Sequence, residues 1–282
     1  MNEKTRTARL SIISNSGLIA MKLVAGIFSG SVSILSEAIH SGMDLLASVI
    51  AFFSVKMSDI PPDKKHPYGH GKFENVSGVI EAVLIFIAAG WIIFEATDKI
   101  LHPGEVENLG IGALVMTISA IVNAIVSQRL YKVAKKTDSI ALEADALHLK
   151  TDVYTSVGVA AGLLLIRLTG WHFLDPIVAI SVALLILKES FVLLRHAYSP
   201  LLDASLSVDE NQIISDVITG RGYAFHNLRT RKSGHYRFAD LHLSLHEDMP
   251  LKEVHKICDE IEQEVCSRIQ NIEINIHVEP VS

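Results

Sequence analysis

Cysteine is nearly absent from these 282 residues: Cys258 and Cys266 are the only two. They lie eight positions apart in a stretch whose apolar spacing reads as a single helix. A straight helix keeps them too far apart for a disulfide, so a reducing, cytosolic setting is expected for that part of the chain. A basic excess is also missing. Lys and Arg number 25 against 31 Asp and Glu, for a formal net charge of −6, which argues against nucleic acid as a partner. The polar start, Met1 to Arg9, carries no small-residue cleavage site after the first apolar run, so that run is read as a retained span and not a signal peptide.

Apolar residues are what the chain has in plenty. Hydrophobic residues make up 49% of it and the mean hydropathy is +0.35, more than a soluble domain of this size carries. Six stretches of roughly 20 residues are long enough to cross a bilayer, at about 10–28, 32–55, 76–97, 109–130, 140–168 and 174–194. The first two are joined only by Ser29-Gly30-Ser31, which predicts an antiparallel hairpin. Positive charge is uneven between the loops. Lys4, Arg6 and Arg9 precede the first span, Lys56, Lys64, Lys65 and Lys72 follow the second, and Arg129, Lys132, Lys135 and Lys136 follow the fourth; Arg195 follows the sixth. The other side holds little beyond Lys99 and Arg167. An even number of crossings with this bias places both termini in the cytoplasm.

After Leu202 the periodicity changes. Ser207-Val208-Asp209-Glu210 reads as a capping box opening a helix to about Ile218. A strand over 225–231 and a turn at Lys232-Ser233-Gly234 lead to Leu241, Leu243 and Leu245 alternating with polar residues, a half-buried strand. Pro250 opens a second helix, and Ile272, Ile274, Ile276 and Val278 alternate as a last strand. The expected organisation is an all-α six-helix transmembrane domain over 1–202 and a small cytoplasmic α+β domain over 203–282, in the order α-β-β-α-β.

Ionisable residues inside spans are costly and seldom idle. The second span carries His40 and Asp44, the fifth His148 and Asp152, and each pair lies four apart on one helix face. The surrounding letters echo one another as Ala-x-His-x3-Asp-x3-Ser-Val. Two imidazoles and two carboxylates suffice for a closed tetrahedral shell, which suits zinc. The alternative is a satisfied hydrogen bond within each pair, which two matched pairs make hard to sustain. Histidines that hold protons when empty must shed them to ligate metal, so protons and metal compete for one site, and antiport needs no further machinery. Glu37 and Asp145 are read as supporting groups, and Glu81, Asn15 and Asn123 as polar contacts between helices. Gly26-x3-Gly30 and Gly158-x3-Gly162 are read as close-packing positions.

Two further groups follow. Asp63, His66 and His70, in the loop after the second span, can wrap a second ion; a solvated loop is the alternative. In the tail, His226, His242, His255, His277 and Glu279 supply ligands for one or two ions, with His235, His246 and Cys258 as weaker extras and His102, His172 and His196 set aside.

This pattern resembles the cation diffusion facilitator family, in its bacterial zinc and iron efflux branch. The likeness rests on His40-x3-Asp44, His148-x3-Asp152, Asp63…His66…His70-Gly71-Lys72, Leu201-Leu202-Asp203, Leu228-Arg229-Thr230-Arg231-x-Ser233-Gly234 and Ile276-His277-x-Glu279-Pro280. It implies a Zn2+/H+ antiporter of the inner (plasma) membrane that moves zinc, or Fe2+ or Cd2+, out of the cytoplasm by alternating access. It also implies a homodimer in lipid, and a metallochaperone-like tail that binds zinc as a regulatory ligand at the dimer interface. Lys72 and Asp203 are expected to form an interlock tying the two protomers together. Many bacterial members carry Asp where this chain has His40, and the imidazole favours zinc over manganese. Glu279 stands where Asp is common. An intramembrane metalloenzyme is disfavoured because a closed four-ligand shell leaves no open position. A passive channel is disfavoured by ligands tight enough to strip hydration. A membrane-bound metal sensor is the remaining alternative.

Overall fold

The computed structural model describes residues 2–29, 32–101, 110–169, 171 and 174–281. The Gly30-Ser31 turn, His102 and His172, and the side chains of Glu37, Lys99 and Arg167, lie outside the described set. Contacts along the backbone divide the chain into two compact units: Met1–Ile60 with Phe73–Tyr198, and Pro61–Lys72 with Ser199–Ser282.

The first unit consists of long helices: α1 (Glu3–Ser29), α2 (Val32–Ser58), α3 (Lys72–Leu101), α4 (Gly110–Thr137), α5 (Ile140–Thr169) and α6 (Leu174–Tyr198). α1 packs on α2 and α4, and α5 packs on α2, α4 and α6. Where helices meet, small residues dominate: Ala8, Ala47, Ala51, Ala82, Ala89 and Ala144 are fully buried. Short side chains let backbones approach closely, the usual basis of helix packing where lipid removes the hydrophobic drive between helices. Large apolar groups such as Phe28, Ile39, Trp91, Phe94 and Phe191 point outward instead, an outer surface suited to hydrocarbon and not to water.

Among the described residues, five stretches within these helices are long and apolar enough to cross a membrane.

Most helices run past their apolar stretches, because polar residues at the ends satisfy one another. Glu74, at the start of α3, is 1% exposed. It accepts hydrogen bonds from Lys4 Nζ at 3.1 Å, Ser58 Oγ at 2.6 Å and Ser139 Oγ. Lys4 also pairs with Asp59 at 2.7 Å. A buried charge is tolerated when it is paired and hydrogen-bonded on all sides, and this cluster ties together the ends of α1, α2, α3 and α5.

The second unit follows a short 3-10 turn (Ser199–Leu202) with α7 (Val208–Gly220), β1 (Ala224–Ser233), β2 (Tyr236–His246), α8 (Leu251–Arg268) and β3 (Ile272–Val281). The capping box is present: Ser207 Oγ accepts from the Glu210 N–H and Glu210 from the Ser207 N–H. The sheet order is β1-β2-β3, with β1 antiparallel and β3 parallel to β2. A parallel neighbour requires a crossover, and α8 supplies it. Ile214, Val217, Ile218, Leu241, Leu243, Leu245, Ile257, Ile261, Val265 and Ile274 form one core between the helices and one sheet face. The opposite face is left for polar groups.

The segment Pro61–Lys72 belongs to this unit through specific contacts. Tyr68 meets Phe238 edge-on at 5.3 Å, and the Arg231 guanidinium lies over both rings, at 4.4 and 5.0 Å. Beside it the backbone of Gly71 touches the β1–β2 turn. A Cβ on Gly71 would fall 2.2 Å from Ser233 O, and one on Gly234 2.6 Å from Gly71 O. Gly234 also has φ of +59°, so this crossing requires glycine on both strands of chain.

Candidate metal centres

α2 and α5 meet side by side, and the i, i+4 spacing puts ligand-bearing residues of both on facing sides. One ligand atom each from His40, Asp44 and Asp152 lies within 4.8 Å of the other two. Asp44 is 5% exposed, Asp152 half-buried and His40 exposed. His148 is not in this trio. Its Nε2 lies 3.1 Å from Asp44 Oδ1, so that nitrogen is directed at a fellow ligand's oxygen, while its Nδ1 is buried with no partner among the described residues. The expected fourfold set is therefore three convergent groups with the fourth bonded to one of them. The two echoing segments do not place their histidines equivalently.

Neighbouring polar groups aim these side chains. Asn123 Nδ2 donates to Asp152 Oδ2 at 3.2 Å, so a residue read as a polar contact between helices orients a ligand. Asn15 Nδ2 donates to Ser48 Oγ at 2.8 Å and reaches the Asp44 carbonyl at 3.4 Å. Ser48 Oγ in turn donates to Asp145 Oδ1 at 2.9 Å. Lys22, overlooked in sequence, is 6% exposed and donates to Ser41 Oγ, next to His40, at 2.7 Å. A lone lysine in the middle of an apolar span was the available signal.

In the loop, Asp63, His66 and His70 also bring one ligand atom each within 4.8 Å. His66 Nδ1 and His70 Nε2 lie 3.6 and 3.4 Å from the two Asp63 oxygens. Backbone N–H groups of His66 and Lys65 donate to Asp63 Oδ1, each at 2.7 Å. Those two bonds hold the Asp63 carboxyl below the usual carboxylate range, keeping it ionised and ready to ligate. His70 is 5% exposed, which a solvated loop histidine would not be.

On the polar face of the sheet, His226, His242 and His277 lie abreast in register on β1, β2 and β3. Ligand atoms of His226, His242 and Glu279 fall within 4.8 Å of one another. Glu279 bridges the imidazoles, with Oε1 2.8 Å from His242 Nδ1 and Oε2 3.1 Å from His226 Nε2. The hydrogen bond from His242, with the nearby His226 and His277, holds its carboxyl below the ordinary value. His277 stands beside this group, its ring 4.9 Å from that of His242 and its Nε2 4.0 Å from Glu279.

His255 is placed otherwise. It sits exposed on α8, 3.6 Å from Asp259. α8 covers the apolar sheet face while the cluster occupies the other, so one chain does not bring His255 to it. Among the weaker extras, His246 accepts from the Asp248 N–H, His235 stacks on Tyr236 and Cys258 packs against the core. Lys72 Nζ meets Asp203 Oδ1 at 2.9 Å within one chain, joining the loop to the residue after Leu202.

Comparison with known proteins agrees with this arrangement. Residues 8–202 match the cation efflux transmembrane domain and residues 206–281 the cation efflux protein cytoplasmic domain. An uncharacterised transporter of Synechocystis, sll1263, is 34% identical over 97% of this chain and 89% of its own length. Cation-efflux pumps named FieF from Shewanella oneidensis and Klebsiella pneumoniae are 32% and 31% identical over 97% and 99% of this chain, and 93% of their own lengths. Six long helices with acidic and imidazole groups gathered between two of them, followed by an α+β domain, match both halves of one family. The chain belongs to the cation efflux family: it is a multi-pass membrane protein that exports divalent metal cations.

Proposed function

We propose that this protein is a zinc/proton antiporter of the inner (plasma) membrane, working as a homodimer with both termini and the 203–282 domain in the cytoplasm. The observation that carries this is the convergence of His40, Asp44 and Asp152 within 4.8 Å, on helices whose neighbours are otherwise apolar. Mixed imidazole and carboxylate donors suit zinc and tolerate iron or cadmium. Loading moves His148 Nε2 from Asp44 onto the ion, completing a four-ligand shell. An imidazole must be neutral to ligate, so metal arriving from the cytoplasm releases protons, and protons arriving from outside release metal. Alternating exposure of the site to the two sides then exchanges one for the other. The positive residues before α1 and after α2, α4 and α6 support the orientation.

His226, His242 and Glu279, joined by His277 and by His255 of a second copy, hold regulatory zinc and bias the dimer toward its working arrangement. Asp63, His66 and His70 hold a further ion beside the Lys72–Asp203 pair. Zinc uptake into proteoliposomes tests the central statement. It should saturate with zinc and rise with an imposed pH gradient; a flux indifferent to that gradient would remove antiport from the reading.

A further inference from the structure

Two carboxyl groups close to the α2–α5 centre lie outside its ligand set and, among the described residues, outside any ion pair. Glu81 on α3 and Asp145 on α5 are both 0% exposed. Ser77 Oγ donates to Glu81 Oε1 at 3.3 Å and Ser48 Oγ to Asp145 Oδ1 at 2.9 Å. The second oxygen of each, Glu81 Oε2 and Asp145 Oδ2, is buried with no hydrogen-bond partner among the described residues. Their chain neighbours Ala82 and Ala144 belong to one buried apolar cluster with Ile85, Leu147 and Ile186.

The charged groups that act on Glu81 are Asp145 and His148, both from α5; Asp145 in turn feels His148 and Asp44 of α2. Among the described residues no lysine or arginine reaches either carboxyl. Two carboxylates buried together, with the His148 imidazole as the basic group acting on both, cannot both stay ionised while that imidazole is held by Asp44, because desolvation and mutual repulsion act in the same direction. A buried carboxyl oxygen lacking a donor is what a protonated acid tolerates best, since its remaining demand is for an acceptor. Glu74 on the same helix is equally buried but takes three donors, one of them Lys4, and shows how a structural acid in this protein is satisfied.

We infer that Glu81, paired with Asp145, is a second proton-carrying site, separate from the metal ligands, and that its proton is exchanged during transport. The inference rests on the antiport reading above. His148 is the link. When its Nε2 turns from Asp44 to the ion, the metal's positive charge enters the surroundings of Asp145 and Glu81. The O–H bond of Glu81 then breaks and its proton leaves to water on the side the site faces. When the metal departs, a proton from the opposite side restores that bond. Each cycle thus moves one proton beyond those displaced from the ligands themselves.

Proteoliposomes carrying a zinc dye and a pH dye test this in one preparation, with wild type beside Glu81→Gln. The amide keeps the shape but holds no exchangeable proton. Protons moved per zinc should fall by about one and the pH dependence of uptake should flatten, while calorimetry still finds the wild-type number of bound zinc ions. An unchanged ratio overturns the inference. Should the wild type move no protons with zinc, antiport itself fails and this fails with it; protons moved equally by both proteins sink only the Glu81 site. If Glu81→Gln folds poorly, infrared difference spectra of wild type labelled with carboxyl-13C glutamate replace it. Among the described residues no glutamate belongs to the α2–α5 centre, and Glu74 is paired with Lys4. A protonated glutamate band that vanishes on zinc addition is therefore expected, and its absence overturns the assignment.

Discussion

The α2–α5 centre and the sheet-face centre gather nearly the same chemistry, two residue types in groups of three, yet they are built in opposite ways. On the helices, the bonded side chains of His148 and Asp44 are only 13 and 7% exposed. On the sheet, the side chains of His226, His242 and Glu279 are 49, 34 and 37% exposed. A charge in the first setting must be balanced by a neighbour, so metal and proton occupancy are tied together. In the second, water screens each group and an ion can come and go with little effect on anything but its own ligands. Similar ligands do not make similar sites: under the function proposed above, burial makes one an exchanger and exposure leaves the other a sensor of concentration.

The sharpest way to break this contrast is Asp152→Ala. Changes to groups behind a ligand alone cost about 10–100-fold in metal affinity, so loss of the ligand itself should cut zinc flux by about 100-fold or more. Calorimetry should still detect zinc on the sheet face, and loss of both signals together would mean the two centres are one system. The converse, His242→Ala, should weaken sheet-face binding by about 10–100-fold while flux at saturating zinc stays measurable; an abolished flux would make that face part of the transport route. A smaller effect is expected from His40→Asp. Replacing an imidazole by a harder oxygen should lower the zinc-to-manganese flux ratio by about 10-fold, and an unaltered ratio would contradict the role given to His40.

The smallest effect concerns the Lys72–Asp203 pair. The hydrogen bond from Lys72, aided by Arg231, holds the Asp203 carboxyl below its ordinary value. A carboxyl depressed on folding contributes stability above its unfolded value, near 4, and loses it as pH falls through the folded value. Half-exposed and screened, the pair contributes about 0.2–1 kcal/mol. Melting temperatures of wild type and Lys72→Ala should differ slightly near neutrality and converge in acid; a gap that widens on acidification would rule the pairing out.

The fold was readable because its signals are local. Apolar length marked all six spans, α5 among them in spite of its charges. The Ser207–Glu210 capping box and the alternation of Leu241, Leu243 and Leu245 located the second domain's helix and strand. Helix ends were less readable, since α1 begins at Glu3 and α3 at Lys72 only because Lys4, Ser58 and Ser139 converge on Glu74. The three ligand clusters were readable as residue sets but not as geometries. Nothing in the spacing of His148 says that it bonds Asp44, and nothing around His255 says that α8 turns it away from the sheet's polar face.

By itself, then, the sequence determined the six-helix membrane domain, the α-β-β-α-β domain and which residues are able to ligate, because hydrophobic period and side-chain chemistry are properties of short stretches. Only the tertiary structure decided which of those groups meet, that Asn123 aims Asp152, and that Glu81 and Asp145 are both fully buried. Those facts depend on packing between helices distant in the chain, where a side chain's environment is set by neighbours that its own segment does not contain.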